Sequence, residues 1–392
     1  MPSKKIFLIA GEASGDFHGA HLVTALKKIF PSAQFRGLGG AQMKEAGVEI
    51  LYDLPKEAVL GLGDVLKKYF LFQKIFNLAF RDVQKFAPDA IILIDYPGFN
   101  LRFAKKIKLK FPVLYYISPQ VWAWGKNRLE SIKRTVSHMI VFFDFEEALY
   151  KKEGIPVTWV GHPLAGHVKP SRSRNELRNT WLGTKNSEVK AIALFPGSRK
   201  TEVERILPEM LEVSKRISAS RGTTVFFLGE SNTLPESLYS KILTQANISF
   251  EIKRLRNSVY DIFFASDFAM VSSGTATLEA ALTSIPFVIF YKTAWSTFFL
   301  GRRLIQIPYI GLVNVVAQRK IVPEFIQQEI KTETIAHEAK YLLDHQDLRE
   351  RMILALKEVE QKLGPSGAET RAAEAVAHFL EACHSDPVGG RI

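Results

Sequence analysis

The sequence predicts an α/β protein built from two doubly wound parallel-sheet domains in series. Three observations carry this. The chain has 392 residues, more than one ordinary domain holds and suited to two of roughly 150–200 residues. Short runs that are apolar on both faces recur along it and alternate with longer helical patterns, as expected of parallel strands covered on both sides by helices. Each half also opens with a strand, a glycine-containing loop and a helix, which reads as right-handed βαβ winding.

In the first half the strand-like runs are Ile6–Ala10, Ala90–Asp95, Val113–Ser118, His138–Phe143 and Val157–Gly161. In the second they are Ala191–Pro196, Thr224–Gly229, Ile248–Lys253, Phe268–Ser273 and Pro286–Tyr291. Between the halves, Val168–Val189 is polar and carries the Ser173–Glu176 spacing of a capping box. The expected division is residues 1–168, a linker over 169–189, a second domain over 190–350, and a helical segment over 351–392. That last segment is expected to fold back on the first domain or to exchange between subunits. Both domains read as Rossmann-like.

Composition narrows the function. Hydrophobic residues make up 47% and charged residues 23%, which argues for packed cores and against disorder. The charge balance is 52 − 40 = +12, favouring an anionic partner: nucleic acid, an anionic membrane face or a phosphorylated substrate. The positive charge is spread and no recognition motif is present, so a nucleic-acid partner is not expected. Cys383 is the single cysteine. An intramolecular disulfide and a Cys/His zinc site are thereby excluded, and a reducing cytosol fits. The first apolar run is too short for a signal-peptide core, and no stretch reaches the roughly 18–20 apolar residues of a membrane span. A cytoplasmic protein that touches a membrane surface is expected.

Six segments carry candidate chemistry. Gly11–Gly19, GEASGDFHG, follows the first strand, where open α/β sheets bind ligands. Glu12, Ser14 and His18 crowd that edge, and a carboxylate there would repel a pyrophosphate, so a hydroxyl-bearing acceptor fits better. A plain strand–helix turn with an Asp cap is the alternative. Asp95 ends the run AIILI; desolvation would raise its pKa and make it a better base. Pro97-Gly98 then turns Asn100 back toward the same place. Ile117–Gly125 holds Trp122 and Trp124, suited equally to stacking on sugars or lipid and to interior packing. Gly197, Ser198 and Arg199 lie between a strand and a helix start, a geometry that binds anions, and Arg199 adds a permanent charge for a diphosphate. Ser273, Gly274 and Thr275 repeat that arrangement, with Glu279 one turn on to accept ribose hydroxyls; no Walker A ending is present. Asn314 and Glu324 are polar points among apolar residues, which a turn after a strand explains nearly as well.

Three basic, apolar stretches suggest contact with an anionic membrane surface: Leu60–Lys85 with Lys67, Lys68, Lys74 and Arg81, then Arg102–Lys110 and Ala294–Leu304. Helices packed on their own sheet would look similar.

GEASGDFHGA, DYPGFN, SPQVWAW, GHPL at Gly161–Leu164, PGSRKTEV, SSGTATLEAAL and NVVAQRKIVPEFIQ stand in the order seen in lipid A disaccharide synthases, and the chain resembles that family from about Ile6 to Gln328. The resemblance implies a GT-B fold, with two Rossmann-like domains facing across a cleft. It implies an inverting transfer that uses neither cofactor nor metal. The donor would be UDP-2,3-diacylglucosamine and the acceptor 2,3-diacylglucosamine 1-phosphate, at the cytoplasmic face of the inner membrane. Asp95 is then the expected base or essential acid, with Glu12 and His18 as the other catalytic candidates. Arg199 would meet the diphosphate, and Ser273, Thr275, Glu279 and Asn314 would meet UDP. A homodimer with exchanged C-terminal segments is also implied. The rival enzymes are other GT-B activities on UDP-N-acetylglucosamine: the peptidoglycan lipid-intermediate transferase or a 2-epimerase.

Overall fold

The structure is a computed structural model. It describes residues 3–59, 65–107, 110–123, 127–183, 189–220, 223–295, 298 and 307–385. Trp124, the side chains of Lys67 and Lys68, and most of the 294–304 stretch lie outside the described residues. The chain divides into two compact units, one of residues 1–163 with 365–392 and the other Leu164–Gly364.

The first unit has seven parallel strands: β1 Lys5–Ala10, β2 Gln34–Gly39, β3 Glu49–Asp53, β4 Ala90–Ile94, β5 Val113–Tyr116, β6 His138–Val141 and β7 Val157–Trp159. Their order is β3-β2-β1-β4-β5-β6-β7. Helices α1 Ala13–Ile29, α2 Ala41–Glu45, α3 Leu54–Val59, α4 Val65–Phe86, α5 Pro97–Ile107, α6 Asn127–Thr135 and α7 Asp144–Lys152 connect them. All five residues of β4 are buried, and each Ile or Leu so placed contributes about 1.5–3 kcal/mol of burial. Phe7, Ile9, Leu93, Tyr115 and Val141 on the sheet pack with Ile75, Ala79, Phe103 and Ile107 from α4 and α5. The sequence reading passed over β2 and β3. Both lie toward the sheet's margin, β2 interrupts its apolar run with Gly37 and Arg36, and β3 is only half-buried. Gly37 has a packing reason, because a Cβ there would come within 1.8 Å of the Leu8 carbonyl oxygen.

The second unit has six parallel strands: β8 Lys190–Phe195, β9 Thr224–Gly229, β10 Ile252–Leu255, β11 Phe268–Ser272, β12 Phe287–Tyr291 and β13 Glu324–Ile326, in the order β10-β9-β8-β11-β12-β13. Its helices are α8 Arg174–Leu182, α9 Lys200–Ser220, α10 Glu236–Ala246, α11 Val259–Ala265, α12 Ala276–Leu282, α13 Leu312–Ala317, α14 Thr332–Asp344 and α15 Gln346–Lys362. α8 opens on the Ser173–Glu176 capping box. Its Arg178 fastens it to the Ala265 and Val189 carbonyls at 2.9 and 2.6 Å. The strand expected over Ile248–Lys253 begins later, at Ile252, because Asn247 in the left-handed region ends α10 and the chain must turn first. β13 was not anticipated, since three residues are too few for a periodic signal.

Beyond α15, α16 Ala368–Ser385 packs on α1 of the first unit. Arg371 Nε donates to the Val160 carbonyl at 2.8 Å. Among the described residues no helix is long and apolar enough to cross a membrane.

Candidate active site

Each sheet has one place where strand order reverses: between β1 and β4, and between β8 and β11. Loops leaving the carboxyl ends of such neighbouring strands diverge to opposite faces and leave a crevice for ligand. The segments Gly11–His18 and Asp95–Asn100 leave β1 and β4. The segments Gly197–Arg199 and Ser273–Glu279 leave β8 and β11.

In the first unit, Asp95 and Tyr96 both have positive φ, 46° and 45°. Local strain of this kind persists only where surroundings impose it. Here Asn100 donates through Nδ2 to the carbonyls of Asp95 and Ile94, at 2.7 and 3.1 Å. Tyr115 Oη donates to the Asp95 carbonyl at 2.6 Å. The Asp95 amide donates to Tyr116 at 3.0 Å. The Tyr96 ring lies against Gly11, where a Cβ would come within 2.1 Å of it. That close approach brings the β4 loop beside the β1 loop and Glu12. Burial pushes the Asp95 carboxyl up to about 6, the Glu12 charge adds to the rise, and a hydrogen bond from the Tyr96 backbone opposes it.

His18 sits on α1 with its ring against Phe142, centroids 5.4 Å apart. Its Nδ1 is enclosed and has no hydrogen-bond partner among the described residues. Burial, then His21, lowers it to about 4. His162 of the GHPL segment also packs on Phe142, and burial, then His18, lowers it to about 3. Both imidazoles are therefore neutral at neutral pH. Glu12 and Ser14 are exposed at the start of α1. Asp16 caps a helix, but a different one from its own: its carboxylate accepts from the amides of Gly40, Gln42 and Met43 at 2.6–3.1 Å, tying α1 to the start of α2. Trp122 donates through Nε1 to Glu146 at 3.1 Å and packs edge-on against Phe145.

In the second unit, Gly197 has φ 117° and leaves no room for a Cβ, which would come within 2.5 Å of Glu202 Oε2. That oxygen accepts from the amides of Ser198 and Arg199 at 3.2 and 3.3 Å. Glu202 Oε1 meets Arg199 Nη1 at 3.2 Å. Glu202 thus occupies donors that an anion would use. Ser273 Oγ donates to the Ile310 carbonyl at 3.0 Å, and Thr275 is the N-cap of α12. Burial raises Glu279, and Tyr260 donates to it at 3.4 Å. Asn314 and Glu324 are buried and engaged within the chain. Asn314 Oδ1 accepts from Ile321 and Val322 amides at 2.9 and 3.0 Å. Its Nδ2 donates to the Val322 carbonyl and to Glu324, both at 2.8 Å. Glu324 also accepts from the Ile310 and Gly311 amides, both at 3.0 Å.

The structure thus brings Glu12, Asp95 and Asn100 to one switch point and Gly197, Ser198, Arg199, Ser273, Gly274, Thr275 and Glu279 to the other. Asn314 and Glu324 stand further along the second sheet, toward β13. Tyr96, Tyr115, Glu146, Glu202 and Tyr260 were not singled out from sequence. Glu202 was the most accessible of these, since a carboxylate three residues into a helix is a capping signal.

Comparison with known proteins agrees with the architecture. The sequence model of the lipid-A-disaccharide synthetase family matches residues 6–378. A lipid-A-disaccharide synthase of Coxiella burnetii is 39% identical over 381 residues, covering 97% of this chain and 100% of that protein. One of Syntrophus aciditrophicus is 42% identical over 375 residues, covering 95% of this chain and 97% of its own length. Among solved structures, CalG4, the calicheamicin glycosyltransferase, matches with a TM-score of 0.60 at 12% identity, over 98% of this chain and 100% of that one. That likeness shows the fold, the GT-B class expected from the sequence. The full-length family match does not favour the rival GT-B enzymes. Matched along nearly its whole length, the chain belongs to the lipid-A-disaccharide synthase family of glycosyltransferases.

Proposed function

We propose that the enzyme condenses UDP-2,3-diacylglucosamine with 2,3-diacylglucosamine 1-phosphate. The products are UDP and a β-1,6-linked disaccharide 1-phosphate. The observations that carry the site assignment lie within each unit: a half-buried carboxyl at the β1–β4 switch point of one, and two phosphate-type loops at the β8–β11 switch point of the other.

Asp95 takes the proton of the acceptor 6-hydroxyl while that oxygen attacks the anomeric carbon of the donor. The bond from that carbon to the diphosphate oxygen breaks on the opposite face, which inverts the configuration. The transition state is oxocarbenium-like and charge grows on the leaving UDP. Arg199 and the loop amides meet that charge. A general base works best with a pKa near the operating pH. Asp95 at about 6 satisfies this better than His18 at about 4, so His18 serves as a neutral hydrogen-bonding group. Glu279 accepts ribose hydroxyls. Asn314 and Glu324 act by fixing the backbone around Ile310 and Gly311, to which Ser273 is bonded.

Both lipid substrates require a membrane surface, and we assign that contact to α4 and α5 at the cytoplasmic face of the inner membrane. Tyr69 and Phe70 are exposed on α4. Lys106 and Lys110 stand over the Phe80 ring at 5.3 and 6.0 Å. Exposed aromatics on one helix and lysines stacked over the half-buried Phe80 ring suit an anionic interface.

The test is a transfer assay in detergent with both lipid sugars and EDTA. Disaccharide 1-phosphate and UDP in equal amounts are expected. Consumption of UDP-N-acetylglucosamine with no disaccharide formed would overturn the assignment.

A further inference from the structure

We infer that Glu146 is a positioning residue for the reaction: its buried carboxylate fixes Trp122, and with it the 117–123 loop, at the end of β5 beside Asp95. The inference rests on the assignment of the Asp95 edge as the acceptor side.

Glu146 is the third residue of α7 and is buried. One oxygen serves its own helix, accepting from the Phe143 amide at 3.3 Å. Capping a helix needs nothing more, and an exposed Glu or Gln would do it as well. The other oxygen reaches across 24 residues of sequence to the Trp122 indole at 3.1 Å. The Ser118 hydroxyl and the Phe142 backbone add further hydrogen bonds. These donors are all neutral. Burying a carboxylate against neutral donors is unfavourable, and burial indeed pushes Glu146 up to about 7. A group held at that disadvantage is doing something a simple cap would not require.

What it holds is the loop leaving β5. Ile117 enters it with φ 68°. Val121 and Ala123 are buried. Ser118 Oγ bonds the Tyr150 hydroxyl, also on α7, at 2.8 Å. Tyr115, one step back on β5, shares the buried core with Tyr150 and donates to the Asp95 carbonyl. Glu146, Trp122, Ser118, Tyr150, Tyr115 and Asp95 therefore form one layer beneath the strand ends. Shared layers of this kind couple their members' geometry. Loosening the Glu146 end displaces the loop that borders the acceptor, and leaves the donor loops of the second unit untouched.

The experiment compares wild type, Glu146→Gln, Trp122→Phe and the double variant in the detergent transfer assay, with each substrate varied in turn. Glu146→Gln keeps the size of the side chain and its cap. Trp122→Phe keeps an aromatic ring while removing the indole N–H and part of the ring's volume. Each single variant is expected to raise acceptor KM about tenfold, with donor KM within about twofold. The double variant is expected to be no worse than either single one, because both break the same bond. Melting temperatures establish that each variant is folded. Additive effects, an equal loss for both substrates, or wild-type kinetics in Trp122→Phe would each overturn the inference. Wild type that makes no disaccharide would instead sink the assignment of function, so the two failures are distinguishable.

Discussion

Replacing Asp95 with Asn should slow transfer steeply and stabilise the fold. Burial first, and Glu12 second, raise the Asp95 carboxyl from 3.8 to about 6. A folded-state pKa above the unfolded value means that ionisation is harder in the native state. Below about pH 4 the carboxyl is protonated in both states and nothing is lost. Between about 4 and 6 the unfolded chain sheds its proton first, and stability falls. Above 6 the penalty is complete. A shift of about 2 units at 1.36 kcal/mol each gives a penalty of up to about 3 kcal/mol. Asn carries no charge, accepts the same Tyr96 backbone bond and tolerates positive φ, so Asp95→Asn removes the penalty without a backbone cost. For a unit of this size 1 kcal/mol is about 2–4 °C. The variant should therefore melt up to about 6–12 °C above wild type at pH 8, with no gain at pH 4. Activity should fall by about 10²–10⁴, the usual contribution of a general base. Thermal melts at the two pH values read the first part and the transfer assay the second. An equal melting temperature at pH 8, or a gain of the same size at both pH values, would refute the reasoning.

Other predictions follow from the second unit. Glu202→Gln removes a carboxylate that occupies the Ser198 and Arg199 amides, so UDP should bind about three- to tenfold tighter by calorimetry; weaker binding would show that Glu202 holds the loop in its ligand-ready shape. Arg199→Ala should weaken UDP binding by about 1.5–3 kcal/mol, and Arg199→Lys should recover only part of it because the planar fork is lost. Unchanged affinity would remove Arg199 from the diphosphate. Asn314→Ala leaves the Ile321 and Val322 amides and Glu324 short of partners, and should lower stability by about 2–4 kcal/mol in denaturant titration; a loss under about 1 kcal/mol would argue that water replaces the side chain.

The sequence was most readable where burial was complete. AIILI at β4, the run at β11, and β1 and β8 beyond their opening lysines are buried, and unbroken apolar runs announce such strands. β2, β3 and β13 were missed because a marginal strand buries less and its pattern fades. The loops at the switch points were readable for a related reason. Loops at switch points need glycine and small polar residues, and these stand out between apolar strands. The motif order of a known family then supplied roles that no periodicity could have given. The partners were not readable. Nothing in the spacing of Trp122 and Glu146, or of Tyr115 and Asp95, says that they meet, since contacts across 20 or more residues depend on how the strands are ordered. Asn314 and Glu324 show the limit plainly. As polar residues in apolar surroundings they allowed either a ligand contact or a turn, and spacing could not show that their polar atoms bond within the chain.

The most direct test of the central claim, that the half-buried Asp95 carboxyl is the base, is the pH dependence of kcat/KM for wild type and Glu12→Gln. The account predicts an acid limb with a midpoint near 6 in wild type. It predicts a lower midpoint in Glu12→Gln, still above the 3.8 of an ordinary Asp because burial remains. Titration of the acceptor's own phosphate would leave the midpoint unmoved by that substitution. A profile flat from pH 5 to 7, or a midpoint that Glu12→Gln leaves in place, would contradict it.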